Sequence, residues 1–112
     1  MSHSNWVSVC EEGDLLRNMG VCAKVGDKQV AIFLVEDADG QRKIFALDNH
    51  CPFSDANVLS RGIVGDLKNR LVVASPIYKQ HFDLQTGECL EDEVSIPTYA
   101  VRSINGKVEV AA

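Results

Sequence analysis

An all-β fold of short antiparallel strands, arranged as a sandwich or barrel, is the fold class this sequence predicts. Three observations carry that expectation. Asn105-Gly106 separates two strand-like runs, 99–104 and 107–110, and Asn-Gly is the strongest short-range hairpin signal because a type I′ turn needs two residues that tolerate positive φ. Gly26-Asp27 plays the same part between Gly20–Val25 and residues 28–35, where β-branched and aromatic side chains are dense. Turn residues then recur roughly every 8–12 positions, the spacing of sandwiches and barrels.

The elements follow in order. Residues 1–5 carry no periodicity and are expected to form a flexible tail. The only helical candidate is 12–18, with Asp14 as cap and Leu15-Leu16 as anchor, two turns at most. The first strand read from the pattern is Gly20–Val25, followed by 28–35. Glu36-Asp37-Ala38-Asp39-Gly40 is a polar turn, after which 41–47 alternates, with Ile44, Ala46 and Asp48 on one face and Phe45 and Leu47 on the other. Ile63-Val64 and Arg70–Ala74 form another strand pair joined near Lys68-Asn69. Residues 81–84 are strand-like and end at the turn Gln85-Thr86-Gly87-Glu88.

Composition limits the function classes. The chain has 112 residues, 46% apolar and 24% charged, which suits one soluble domain over 1–112. Its formal charge of −5, with eleven scattered Lys and Arg residues, argues against nucleic acid as a partner, because phosphate binding needs a basic patch. No run approaches the ~20 apolar residues of a bilayer span, and the first residues lack the basic and apolar regions of a signal peptide. A cytoplasmic location with no membrane contact is expected. Cys10, Cys22, Cys51 and Cys89 form no CxxC pair and are expected to be free thiols in that compartment. Cys10, Cys22 and Cys89 read as small buried or half-buried hydrophobes.

Two loops stand apart from the hairpins. The first, 49–62, contains Asn49-His50-Cys51-Pro52-Phe53 and then Leu59-Ser60-Arg61-Gly62; the second contains Val73-Ala74-Ser75-Pro76-Ile77-Tyr78, followed by Phe82-Asp83-Leu84 and Thr86-Gly87. A loop as long as the first is uncommon in a compact domain and is usually functional or once functional. His50 and His81 adjoin the loops, but neither has a second ligand at metal-binding spacing, and His3 lies in the tail. Both loop histidines are expected to be surface or half-buried imidazoles. Cys51 is not expected to be a nucleophile, since Pro52 removes the next backbone donor and no glycine loop follows.

This ordered set resembles the Rieske domain pattern: Cys-x-His followed by Leu-Ser-x-Gly in the first loop, and Cys-Pro-x-His with a Thr-Gly turn in the second. The tail, with Pro97, Tyr99, Val101, Gly106, Val108 and Val110, is similar to the closing hairpin of soluble Rieske ferredoxins. The resemblance implies a Rieske-like sandwich or barrel with two loops at the former cluster site. It assigns the four ligand positions to Cys51, Phe53, Ser75 and Tyr78, so only Cys51 keeps a ligand type. A Rieske [2Fe–2S] centre takes two thiolates and two imidazoles. Leu59-Ser60 also lies one residue further from Cys51 than the pattern has it. No cofactor, no metal and no catalytic residue is therefore expected on this chain. Phe53 and Tyr78 are expected to pack where a cluster would sit, making an apolar knob used for docking.

Within that group the chain resembles the small subunits of the NAD(P)H-dependent assimilatory nitrite reductases. The residues that carry this are Gly20-Val21-Cys22-Ala23, Gln29-Val30-Ala31-Ile32-Phe33, Pro52-Phe53, Val58-Leu59-Ser60-Arg61-Gly62, Ala74-Ser75-Pro76, Lys79-Gln80 and Cys89-Leu90-Glu91-Asp92-Glu93. The resemblance implies an accessory role beside a large subunit that carries FAD, a [4Fe–4S] centre and sirohaem and reduces nitrite to ammonium. The acids Glu88, Glu91, Asp92 and Glu93 are candidates for steering that docking, although a charge run is usually a solvated face. The competing expectations are a Rieske-type [2Fe–2S] electron carrier and a free-standing binding module for another redox enzyme.

Overall fold

A computed structural model of the chain describes residues 6–15, 19–36, 39–53, 56–67, 70–77 and 80–111. The strands are β1 (Trp6–Glu11), β2 (Gly20–Val25), β3 (Lys28–Glu36), β4 (Arg42–Asp48), β5 (His50–Cys51), β6 (Ala56–Asn57), β7 (Ile63–Leu67), β8 (Arg70–Ala74), β9 (His81–Asp83), β10 (Thr98–Ile104) and β11 (Lys107–Ala111). Six of them form one antiparallel sheet in the order β1-β11-β10-β4-β3-β2. Its two outer strands, β1 and β2, lie against each other and nearly close the sheet. A second sheet has the order β7-β8-β9, and β5 and β6 make a two-residue hairpin.

The third strand explains why the two sheets stay together. Residues 30–35 of β3, Val-Ala-Ile-Phe-Leu-Val, are all buried, the unbroken apolar run of a strand covered on both faces. Because side chains alternate along a strand, Val30, Ile32 and Leu34 enter one core and Ala31, Phe33 and Val35 another. The first core lies inside the six-stranded sheet with Val25, Ala46, Val108 and Val110. The second lies between the sheets, with Leu47, Cys51, Leu59, Val73, Phe82, Leu84 and Ile96. β4 divides its side chains the same way: Ile44 and Ala46 face one core, Phe45 and Leu47 the other.

The turns match the expected chemistry. Asn105 and Gly106 have φ of 52° and 79°, the two positive values a type I′ turn requires. Gly26, with φ of 60°, begins the β2–β3 turn, where a glycine in the first central position suits type II′. The predicted helix over 12–18 is a correction: a 3-10 turn covers only Glu12–Asp14, and Leu15 is already extended with φ −88° and ψ 129°. Asp14 closes that turn by accepting the Glu11 amide at 3.1 Å, so its carboxylate faces back along the chain instead of opening a longer helix. Residues 16–18, like the expected tail at 1–5, lie outside the described residues.

A second difference is β1, which the pattern does not announce. Its burial does not alternate cleanly, and its register against β11 shifts between Ser8 and Cys10. Trp6 is held from the neighbouring hairpin, with the Arg102 guanidinium 4.0 Å from its ring centroid and Arg102 itself bound to Glu109 at 2.8 Å.

Close backbone approach fixes where the first loop meets the sheet. A Cβ on Gly20 would collide with the Ser60 carbonyl and the Phe33 ring, whereas one on Gly65 would meet nothing within 4 Å. Gly20→Ala is expected to lower stability by about 2 kcal/mol or more, and Gly65→Ala to change it by less than about 0.5 kcal/mol. Urea unfolding of the two variants against the parent chain checks both values.

Candidate functional site

The two loops leave the ends of β4 and β8. The first loop is held by Asn49, which is 1% exposed. Its amide donates to the Gln29 carbonyl at 2.9 Å and its carbonyl accepts from the Leu59 amide at 3.1 Å. Its side-chain oxygen accepts the Ser60 amide at 2.6 Å, and its Nδ2 donates to the Asn57 carbonyl at 3.1 Å. The same Nδ2 lies 3.4 Å from Gln29 Oε1 and from Cys22 Sγ. A buried amide must be satisfied, and satisfying this one ties β2, β3, β6 and the 3-10 turn Leu59–Arg61 to one point. Polarity marks Asn49 as a loop residue in the sequence, and no spacing signal identifies it as a hub.

Beneath the loop tips, two of the four assigned positions meet. Cys51 Sγ and Ser75 Oγ are 3.4 Å apart, and the residues are 0% and 1% exposed. Ser75 Oγ also accepts the Ile77 amide at 3.4 Å, and in its contact with the sulfur either the hydroxyl or the thiol can donate. The second loop is closed by the Ser75 amide, which donates to the Gln80 carbonyl at 2.9 Å.

Phe53 takes up the packing role expected of it. Its ring is half-buried and turned inward, packing on the core between the sheets with its centroid 6.0 Å from that of Phe82. An aromatic pair at that separation adds to the burial energy. Among the described residues, the apolar groups that the tips expose are Pro52, Pro76 and Ile77. Tyr78, the fourth assigned position, lies outside the described residues.

These residues do not fit a [2Fe–2S] centre. Phe53 has no donor atom, a serine hydroxyl is a hard ligand where the cluster takes soft thiolate, and Cys51 and Ser75 touch each other directly. Among the described residues no group of three His, Cys, Asp or Glu side chains is placed to hold a metal. The deep burial of Cys51 also denies it the exposure a nucleophilic thiol needs.

The other expectations divide. Both loop histidines are half-buried, and His81 Nδ1 pairs with Glu91 Oε2 at 2.7 Å while the His81 amide donates to Glu91 Oε1 at 2.8 Å. Cys10 is half-buried and Cys89 buried, but Cys22 is exposed, a correction that follows from alternation along β2, whose Val21, Ala23 and Val25 face the core while Cys22 lies on the other face. Burial pushes the Cys10 and Cys89 thiols up from their ordinary value, which keeps them protonated and unreactive. The acidic run is partly spent inside the molecule, since Glu91 binds His81 and Glu88 Oε1 accepts from Arg70 at 3.2 Å.

That Arg70 contact belongs to the Gln85-Thr86-Gly87-Glu88 turn, whose anchor is the preceding Asp83. Asp83 is buried at 6% exposure. Its Oδ2 accepts Arg70 Nε at 2.6 Å, and its Oδ1 accepts the amides of Gln85 and Thr86 at 2.7 and 2.9 Å. Burial alone would raise its pKa, but the Thr86 amide, the Arg70 guanidinium and the Gln85 amide together outweigh it and hold the carboxyl below the usual range.

Two measurements follow from this geometry. Phe53→Ala is expected to cost about 2 kcal/mol, less than the roughly 3–5 of a fully buried phenylalanine, and chemical denaturation reads the loss. Asp83, depressed in the folded state, stabilises the chain at pH above its unfolded value of about 4, and that contribution is lost as pH falls through the folded value. Asp83→Asn is therefore expected to flatten the acid limb of stability against pH between about 5 and 2 while lowering the plateau near neutrality.

A family model for the Rieske-like [2Fe–2S] domain matches residues 5–111. The nitrite reductase (NADH) small subunit of Escherichia coli (strain K12) is 43% identical over 108 residues, covering 96% of this chain and 97% of the relative. The solved NADH-dependent nitrite reductase small subunit of Mycobacterium tuberculosis superposes with a TM-score of 0.90 at 41% identity, over 99% of this chain and 97% of that one. The nitrite reductase [NAD(P)H] large subunit of Klebsiella oxytoca is 38% identical over 106 residues, which are 94% of this chain but only 11% of that protein. With the family model and relatives matched over nearly their whole length in agreement, the chain belongs to the Rieske-like [2Fe–2S] domain family and, within it, to the nitrite reductase small subunits.

Proposed function

We propose that this chain is the accessory small subunit of an NAD(P)H-dependent nitrite reductase, acting in the cytoplasm as one domain over residues 1–112. It docks to a large subunit on which nitrite is reduced to ammonium. The observation that carries this reading is the loop pair. Where an electron carrier of this fold would present metal ligands, Cys51 and Ser75 are buried against each other and Phe53 packs against the core. Such a site has structural rather than redox chemistry, so the electrons travel on the partner's cofactors, FAD, a [4Fe–4S] centre and sirohaem. On this reading Cys51, Phe53, Ser75 and Tyr78 are vestigial cluster positions and none is catalytic. The loop tips, with Pro52, Pro76 and Ile77 outward, belong to the docking end.

Affinity purification of the tagged chain from nitrite-grown cells is expected to recover a sirohaem flavoprotein. Adding the chain to that isolated partner is expected to raise nitrite-dependent NAD(P)H oxidation or the yield of active enzyme. Recovery of an oxygenase instead would favour the binding-module role. A purified chain with visible absorbance, iron and acid-labile sulfide would overturn the proposal in favour of an electron carrier.

A further inference from the structure

Among the described residues the outer edge of β7 is open along its whole length. β1 and β2 lie against each other, and the 3-10 turn Leu59–Arg61 packs on β2. β9 is continued by the bridge between Phe82 and Cys89 and by the Leu90 amide donating to the His81 carbonyl at 2.9 Å. β7 pairs with β8 on one side, and among the described residues no strand pairs with it on the other.

The hydrogen-bond pattern shows which groups face out. The Leu71 carbonyl accepts the Leu84 amide at 2.9 Å, so Leu71 turns its backbone groups toward β9. Asp66, its register partner, therefore sits in a non-hydrogen-bonded pair and points its own N–H and C=O away from β8. Val64, two residues back in the same unbroken register, does likewise. Along this edge Ile63 is 76% exposed, the most exposed large apolar side chain among the described residues, and Gly65 leaves open space beside it. A strand edge with unpaired backbone groups, an exposed isoleucine and no lysine, proline or bulge is guarded only by the charge of Asp66 and is weakly protected against pairing.

We infer that β7 is a strand-addition site, and that its occupant is an extended segment of the large subunit which adds as an outer strand beside residues 63–67. This rests on the accessory-subunit reading above. Main-chain hydrogen bonds to Val64 and Asp66 supply the attachment, and side chains set its specificity. Charge complementarity describes the segment. In a chain of net charge −5 the edge's one charged side chain is Asp66, so the added strand carries Lys or Arg across from it and an aliphatic or aromatic residue across from Ile63. Ile63 pairs with Ala74, the residue before Ser75, so the added strand also runs beside the loop tips.

The test uses the purified chain and the large subunit, with affinity and amide exchange as readouts. Ile63→Lys places a charge on the edge, and Asp66→Pro removes an outward donor while leaving the β7–β8 bonds in place. Ile104→Lys, at an exposed position on the other sheet, serves as the control. The expected result is a loss of affinity of about tenfold or more for each edge variant, none for Ile104→Lys, and slowed exchange over residues 63–67 in the parent complex. If Asp66→Pro does not fold, Ile63→Lys and the exchange data decide. A parent complex that forms, with both edge variants binding normally and no slowing of exchange, would overturn the inference and leave the accessory role standing. Failure of the parent chain to bind the large subunit at all defeats the accessory role and this occupant together. A homodimer of the free chain that Ile63→Lys dissolves would assign the edge to a second copy instead.

Discussion

Burial of β3 on both faces is the constraint from which the architecture follows. A strand with six consecutive buried side chains needs an apolar layer on each side, and one sheet cannot provide both. The six-stranded sheet curls to cover Val30, Ile32 and Leu34 with its own strands. Ala31, Phe33 and Val35 must be covered from elsewhere, and β8, β9 and the loops do it. The second sheet is therefore no appendage, because without it the inner strand of the first would face water.

That dependence explains how a cluster site can be closed without losing the fold. In a metal-binding relative of this architecture a cluster would cross-link the two loops. Here the cross-link is divided among smaller interactions: the sulfur–hydroxyl contact of Cys51 and Ser75, the Phe53–Phe82 pair and the Asn49 network. Each is weak beside metal ligation, but all lie against the core that β3 requires. Asp83 with Arg70 performs the matching task at the far end of β8 and β9, where a carboxylate satisfied by two amides and a guanidinium pins the return turn.

Much of this was legible in the sequence, and the gaps have physical causes. Hairpin turns are local, so Asn105-Gly106 and Gly26-Asp27 located four strands with little ambiguity. The face assignment in β4 was likewise correct because alternation is a local property. β1 was missed because it is a strand only by virtue of β11, a partner far along the chain, and its own pattern is broken by a register shift. The loop 49–62 read as irregular, yet it holds β5, β6 and a 3-10 turn, all organised by an asparagine whose importance depends on what surrounds it. The four cluster positions are marked in the sequence only by resemblance to the Rieske pattern. That Cys51 meets Ser75 while Phe53 turns inward is tertiary information that side-chain type does not encode.

The pairing of Trp6 with Ala111 in the β1–β11 ladder has a consequence for how the domain is carried. Its first and last strands enter and leave at one corner, so a longer polypeptide can run into the domain and out again without crossing either core. In the Klebsiella oxytoca relative the matching stretch is 11% of a much longer chain. The same geometry suits a free-standing polypeptide and a covalently tethered module, with a change of linkage and no change of fold.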